Sequence, residues 1–212
     1  MKRCGFCGVG LAFVWFLIAA GEQNAQIPEK KQIDVPRVND SRLEVVLFAA
    51  SPDIVHPIGV DFDSKGRLLV IESHTHFRPE GYKGPKFDRI RMLEDTDGDG
   101  KADKETVFAD KLHVPTGIEL GDGGAYVSGQ PNLLFLKDTD GDDKADVRVR
   151  VLNGFDSADT HHASNSFALD PGGALYFQEG TFHQTQVEST WGPPARCSNG
   201  GVFRYEPRTQ KF

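Results

Sequence analysis

One unit recurs along this chain: a short apolar run, a tight glycine turn and a second short apolar run. Gly59-Val-Asp-Phe-Asp leads through Ser64-Lys-Gly66 into Arg67-Leu-Leu-Val-Ile. Gly117-Ile-Glu-Leu leads through Gly121-Asp-Gly-Gly124 into Ala125-Tyr-Val, and Ser166-Phe-Ala-Leu leads through Asp170-Pro-Gly-Gly173 into Ala174-Leu-Tyr-Phe. The turn glycines stand 58 and then 49 residues apart. Periods of this length, with several strands in each, point to β-propeller blades. A helical solenoid of similar period needs amphipathic helices, and the sequence contains none.

The expected strands of blade one are Gly59–Asp63, Leu68–Glu72, Arg89–Glu94 and Glu105–Ala109. Those of blade two are Gly117–Leu120, Ala125–Ser128, Leu133–Lys137 and Val147–Leu152. Blade three begins with Ser166–Leu169 and Ala174–Gln178 and continues with Gly201–Tyr205. Leu43–Ala49 reads as a lone outer strand of the kind that closes a propeller. Propellers have about 4 to 8 blades, so residues 41–212 read as part of a longer all-β propeller.

Composition agrees. Of the 212 residues, 38% are hydrophobic and 26% charged, which suits a soluble globular core. The 23 Gly, 12 Pro and 15 Phe beside only two Met favour short strands and frequent turns. The net charge of −7 argues against nucleic-acid binding, which needs a basic face. All of that charge lies in two stretches, 95–103 and 138–146, which together hold nine Asp and two Lys.

Those stretches carry a metal-ligand spacing. Asp95, Asp97, Asp99 and Asp103 occupy positions 1, 3, 5 and 9 of the first, with the Lys101 carbonyl at position 7. Asp138, Asp140, Asp142 and Asp146 repeat the spacing, with Lys144 at position 7. A hard divalent cation wants six to eight oxygens from a curled loop, and calcium is the expected ion. These are not complete EF-hands: position 12 is Thr106 or Val149, and position 6 of the second loop is Asp143. The alternative is a solvated Asp/Gly turn without an ion. The expectation is structural calcium loops closing the third-to-fourth-strand hairpins.

The N-terminus reads as an export signal. Lys2 and Arg3 precede an apolar run over residues 8–20, too short to span a bilayer comfortably, and small residues follow. Residues 1–25 are the expected signal peptide, with an uncleaved membrane anchor as the alternative, and 26–40 a polar linker. The mature chain would be periplasmic or associated with the cell envelope. Cys4 and Cys7 precede the apolar core and leave with the signal, which isolates Cys197.

Strand alternation in a propeller places the Gly hairpins and the Asp loops on one face. Second-to-third-strand connections and blade-to-blade connections share the other. By that rule His56, His113, His161 and His162 (in segments leading into first strands) and His74, His76 and His183 (in second-to-third connections) lie opposite the Asp loops. Long insertions at 74–88 and 180–200 fall on the same face, where loops build ligand sites. His161-His162 precedes an innermost strand and is the leading catalytic candidate, a neutral imidazole able to take a proton from an alcohol, with Asp159 near enough to tune it. A hydrogen-bonded turn histidine is the alternative. His74-x-His76 offers half of a metal site. Arg78 and Arg196 are candidate anion contacts, and Trp191 a candidate stacking surface.

The ordered set HTHFRP at 74–79, LEDTDGDGKAD at 93–103, PTGI at 115–118, LLFLKDTDGDDKAD at 133–146 and DTHHASNSF at 159–167 resembles a bacterial family of exported β-propellers named as membrane-bound dehydrogenases. That family is related to the soluble quinoprotein glucose and sorbosone dehydrogenases. The resemblance implies a six-bladed propeller, here represented by about its first three blades. It implies PQQ and calcium as cofactors, and a sugar or related alcohol or aldehyde as substrate. It also implies an electron acceptor such as a downstream c-type haem domain. In the resemblance His162 is the base, since it precedes Ser166-Phe-Ala-Leu, Asp170-Pro-Gly and Tyr176. The PQQ-holding Lys and Arg of the soluble enzymes come from later blades than these. A non-catalytic propeller binding glycan or protein partners is the alternative function.

Overall fold

The computed structural model describes residues 33–212 apart from residue 77. The expected signal peptide, Cys4, Cys7 and the first part of the linker lie outside the described residues; 33–40 carry no regular secondary structure.

Thirteen strands and no helix are found among the described residues. The first meander is β1 (Pro57–Phe62), β2 (Leu68–Glu72), β3 (Asp88–Glu94) and β4 (Lys104–Leu112), paired antiparallel in sequence order. The second is β5 (Ile118–Gly121), β6 (Gly124–Gly129), β7 (Asn132–Lys137) and β8 (Val147–Asn153), paired in the same way. The third joins β9 (Asn165–Leu169), β10 (Leu175–Glu179) and β13 (Gly201–Tyr205), with a separate hairpin of β11 (Gln184–Val187) and β12 (Ala195–Ser198) inserted after β10. These are propeller-type blades: their first strands lie side by side, and each bonds to the next through a carboxylate. Asp61 of β1 accepts from the Leu120 amide at 2.7 Å, and Glu119 of β5 accepts from the Leu169 amide at 3.0 Å.

The turns explain the hairpins. In blade one the Asp63 carboxylate accepts from the amides of Lys65 and Arg67, while Gly66 takes φ +80°. Asp170 repeats this with the Ala174 amide, and Gly173 takes φ +86°. Blade two uses a two-residue Asp122-Gly123 turn with both φ positive, the hairpin turn that matches strand twist.

The core lies between blades. Leu69, Ile71, Ile90, Met92 and Phe108 of blade one pack against Ile118, Ala125, Val127 and Leu136 of blade two. Tyr126, Leu133 and Leu152 of blade two, with Phe155 beyond β8, pack against Leu175, Phe177 and Tyr205 of blade three. Fully burying one such large side chain stabilises by about 1.5–3 kcal/mol, so the blades hold one another.

Two expectations need correction. Leu43–Ala49 forms no strand; the Phe48 carbonyl accepts from the Ala102 amide at 2.9 Å and Val46 lies over Gly100. What flanks this segment is the tip of the first Asp loop, which offers no strand edge to pair with, and Leu43 is 64% exposed. The 180–200 insertion is not wholly loop, because β11 and β12 pair within it and bury Thr185 and Val187.

Candidate functional site

The two Asp-rich turns are wired alike. Asp95 accepts from the amides of Gly98 and Gly100 at 2.7 and 2.8 Å; Asp138 accepts from those of Gly141 and Asp143 at 2.7 and 2.9 Å. Positions 4 and 6 are left-handed in both: Gly98 and Gly100 in the first, Gly141 and Asp143 in the second. Each curl gathers three carboxylates, Asp95/Asp97/Asp99 and Asp138/Asp140/Asp142, with one oxygen of each within 4.8 Å of the others. The ninth-position acids act differently. Asp103 accepts from the amide and hydroxyl of Thr96, and Asp146 from those of Thr139. The amides of Lys101 and Lys144 donate to Asp99 and Asp142. The Gly100 amide, foremost, holds the Asp95 carboxyl below the usual carboxylate range, and the Thr139 hydroxyl does so for Asp146. Three converging carboxylates in a curl suit a hard cation.

The opposite end is knit from the other two kinds of connection, as strand alternation requires. The Ser73 amide donates to the His56 carbonyl, the Val114 amide to Asp88, and the Gly180 amide to the His162 carbonyl. Asp88, the fully buried first residue of β3, accepts from the amides of His74, Thr75 and Val114 and from the Thr75 hydroxyl. It fixes the start of the first insertion against the segment leading into blade two.

From that anchored start, His76 reaches blade three. Its Nδ1 lies 2.8 Å from the Thr160 hydroxyl, and its ring meets that of His161 edge-on with centroids 5.0 Å apart. His161 Nδ1 donates to Asp159 Oδ1 at 2.9 Å, and the same oxygen accepts from the His161 amide at 2.8 Å. That amide, followed by the ring, holds the Asp159 carboxyl below its ordinary value. A carboxylate on Nδ1 selects the Nδ1–H tautomer, which makes Nε2 the proton-accepting atom of the ring. Asp159–His161 therefore has the make-up of an acid–base dyad, and His76 and Thr160 complete a cluster drawn from two blades.

His162 has other surroundings. A Cβ on Gly180 would stand 2.8 Å from its ring Nδ1, and its ring lies 5.9 Å from that of Phe182. His74 and His76 do not converge. His74 is buried, with Nδ1 on the Tyr82 hydroxyl at 2.7 Å and Nε2 3.5 Å from the buried Glu72, so its ring is engaged by partners other than those of His76. His183 is buried 3.5 Å from Glu179. His56 and His113 are exposed, the former with Nδ1 3.3 Å from the Ser73 carbonyl. Arg78 donates to the carbonyls of His74 and Lys86 and lies over Tyr82, so it pins its own insertion. Arg196 is exposed on β12. A tricarboxylate such as PQQ needs several cationic partners; with Arg78 turned onto its own insertion and Arg196 exposed on β12, further partners for tight binding would have to come from outside these two positions.

Sequence reading missed Asp88, Thr160 and Tyr82. Asp88 opens a strand after a long insertion and bears no motif. Thr160 stood between two residues already singled out, and its signal was that position alone.

A comparison with the curated proteins gives no match. Among solved structures, the chain is similar to a Trichoderma reesei carbohydrate-active enzyme of family AA12, at 19% identity and TM-score 0.48 over 64% of this chain and 32% of that one. It is also similar to XC5397 from Xanthomonas campestris, described as a gluconolactonase, at 16% identity and TM-score 0.49 over 73% of this chain and 51% of that one. The chain thus spans about a third of the first and half of the second. A family model described as a domain of unknown function, DUF7133, matches residues 30–212, and the chain belongs to that family.

Proposed function

We propose that this chain is the propeller portion of an exported, calcium-stabilised oxidoreductase of quinoprotein type, which takes the hydroxyl proton of a sugar or related alcohol or hydrated aldehyde. The observation that carries the reading is the Asp159–His161 pair at 2.9 Å on the face opposite the Asp loops. Asp159 stays ionised, keeps Nδ1–H on His161 and stabilises the imidazolium formed when Nε2 accepts a proton. This moves the base from His162 to its neighbour, because His162 lacks such a partner among the contacts above.

A quinone cofactor, when bound, would supply the hydride acceptor. Calcium belongs to the reading as a structural ion in the two Asp loops. The electron acceptor, the c-type haem partner and the periplasmic or cell-envelope location follow from the resemblance and the N-terminal pattern.

The test is calorimetric titration of the full-length protein with PQQ in calcium-containing buffer. Stoichiometric, tight binding is the expected outcome and justifies a sugar and aldehyde screen. No binding by demonstrably folded protein would reject the quinoprotein reading. That result would favour a second reading, a non-catalytic glycan-binding face. Its support is the exposed aromatics of the same insertion, Phe182 at 69% and Trp191 at 64%, since sugar rings stack on such surfaces.

A further inference from the structure

Asp159 and His161 are neighbours on a connecting segment, with side chains 36% and 54% exposed. A pair this open is weakened by solvent and cannot by itself hold a ring in one orientation. The rigid side of the cluster is the other one. The chain just before His76 is tied to buried Asp88 through two amides and a hydroxyl, and its insertion is closed by His74 on Tyr82 and by Arg78 on two carbonyls. From this base His76 grips the segment twice, at Thr160 through Nδ1 and at His161 through the ring edge.

We infer that His76 is the positioning residue of the Asp159–His161 dyad. Asp159 selects the tautomer of the base, and His76, from blade one, holds the ring in the orientation that keeps it on Asp159. Sequence separation from His76 to Thr160 is 84 residues, and blade two stands between the two blades in chain order. The first insertion is therefore part of the site, a strap that joins blade one to the segment leading into blade three. This inference rests on reading the dyad as the proton acceptor, but its primary test does not require turnover.

The measurement is the long-range proton–nitrogen NMR spectrum of the His161 ring in the full-length protein, assigned by its loss in His161→Gln. Wild type is expected to show a single Nδ1–H tautomer. In His76→Ala it should become a mixture shifted towards the Nε2–H form that a solvated imidazole prefers. Thr160→Val, which breaks the same grip from blade three, should do likewise. His76→Asn, which keeps a polar atom for the Thr160 hydroxyl, should restore most of the Nδ1–H signal. An unchanged His161 spectrum in folded His76→Ala or Thr160→Val would overturn the inference. Where turnover is measurable, a positioning role predicts that His76→Ala lowers kcat with little change in KM. If wild type binds no PQQ but the tautomer still depends on His76, positioning stands and the redox reading falls.

Discussion

Arg67 Nη1 lies 2.6 Å from Asp143 Oδ1, so the first hairpin of blade one is joined to the Asp-rich loop of blade two. The same guanidinium donates through Nε to Asp63, inside its own turn. Asp143 stands where the first loop has Gly100, with φ +66° against +84°. Asp is among the few residues that visit this region at small cost. The second loop thus accepts some backbone strain and gains an inter-blade ion pair.

That pair is testable by a double-mutant cycle. Asp143→Gly keeps the left-handed turn and removes the carboxylate; Arg67→Met keeps much of the stem. The side chains are 11% and 24% exposed, so a coupling of about 1–2 kcal/mol is expected from urea unfolding. Arg67's hydrogen bond, foremost, holds the Asp143 carboxyl below its ordinary value of 3.8. Its contribution is therefore complete above that value and is lost as pH falls through the lower folded one. Additive single losses would show that the contact carries no stability.

The proposed calcium sites would separate acids that hold the loop from acids that hold the ion. Asp95 accepts from two amides of its own turn, whereas Asp97 accepts from that of Asp99 alone. Asp97→Ala should therefore lower Tm in calcium and change little in chelator. Each tenfold loss of affinity removes about 1.4 kcal/mol of ion-linked stability at saturating calcium. Asp95→Ala should lower Tm in both buffers. Equal losses for Asp97→Ala with and without chelator would reject the ion.

Glu119 offers a substitution that stabilises. Burial, the largest influence, pushes its carboxyl above the ordinary value of 4.5, against the opposing hydrogen bond from the Leu169 amide. A raised carboxyl is a cost at neutral pH, and that cost disappears as pH falls through the folded value. Glu119→Gln keeps an oxygen for the Leu169 amide and removes the buried charge. It should raise Tm at pH 7 by about 1–3 °C, with no gain below pH 4.5. A lower Tm at pH 7 would mean that the charge itself ties β5 to β9.

Much of this architecture was legible because glycine turns and alternating apolar runs are local signals. Gly66, Gly124 and Gly173 marked the hairpins, and strand alternation then assigned the Asp loops and histidines to opposite ends without any contact being known. What was not legible depends on partners distant in sequence. Leu43–Ala49 has the composition of a strand, yet pairing needs an edge, and the contacts this segment makes at Val46 and Phe48 are with the first Asp loop. Gln184–Val187 is three polar residues and one valine, with no apolar alternation to announce a strand before Ala195–Ser198 pairs with it. His74-x-His76 looked like one ligand set because strand alternation returns i and i+2 to one side. Asp88 breaks that rule by capturing the amides of His74 and Thr75, which sends His74 inward and His76 across to blade three. Of the adjacent His161 and His162, the resemblance favours His162, and what moves the choice to His161 is where Asp159 turns.

That choice yields the sharpest functional prediction. In the full-length protein, His161→Ala should abolish PQQ-dependent dye reduction while leaving calcium binding intact. Asp159→Asn should lower kcat by about 10²–10⁴-fold, the range for losing an oriented acid–base group. Its main effect should be on kcat, because the amide side chain no longer fixes the Nδ1–H tautomer. The Asp159 carboxyl is held below its ordinary value of 3.8, so it is ionised throughout the neutral range and adds no limb of its own to the pH profile there. His162→Ala should cost less, since that ring packs against Gly180 and Phe182 and acts on Asp159 through charge at a distance, not through a hydrogen bond. The comparison is decided by the order of the losses. If His162→Ala abolishes turnover while His161→Ala retains it, the base is His162, as the resemblance implies, and Asp159–His161 is a surface pair on a connecting segment.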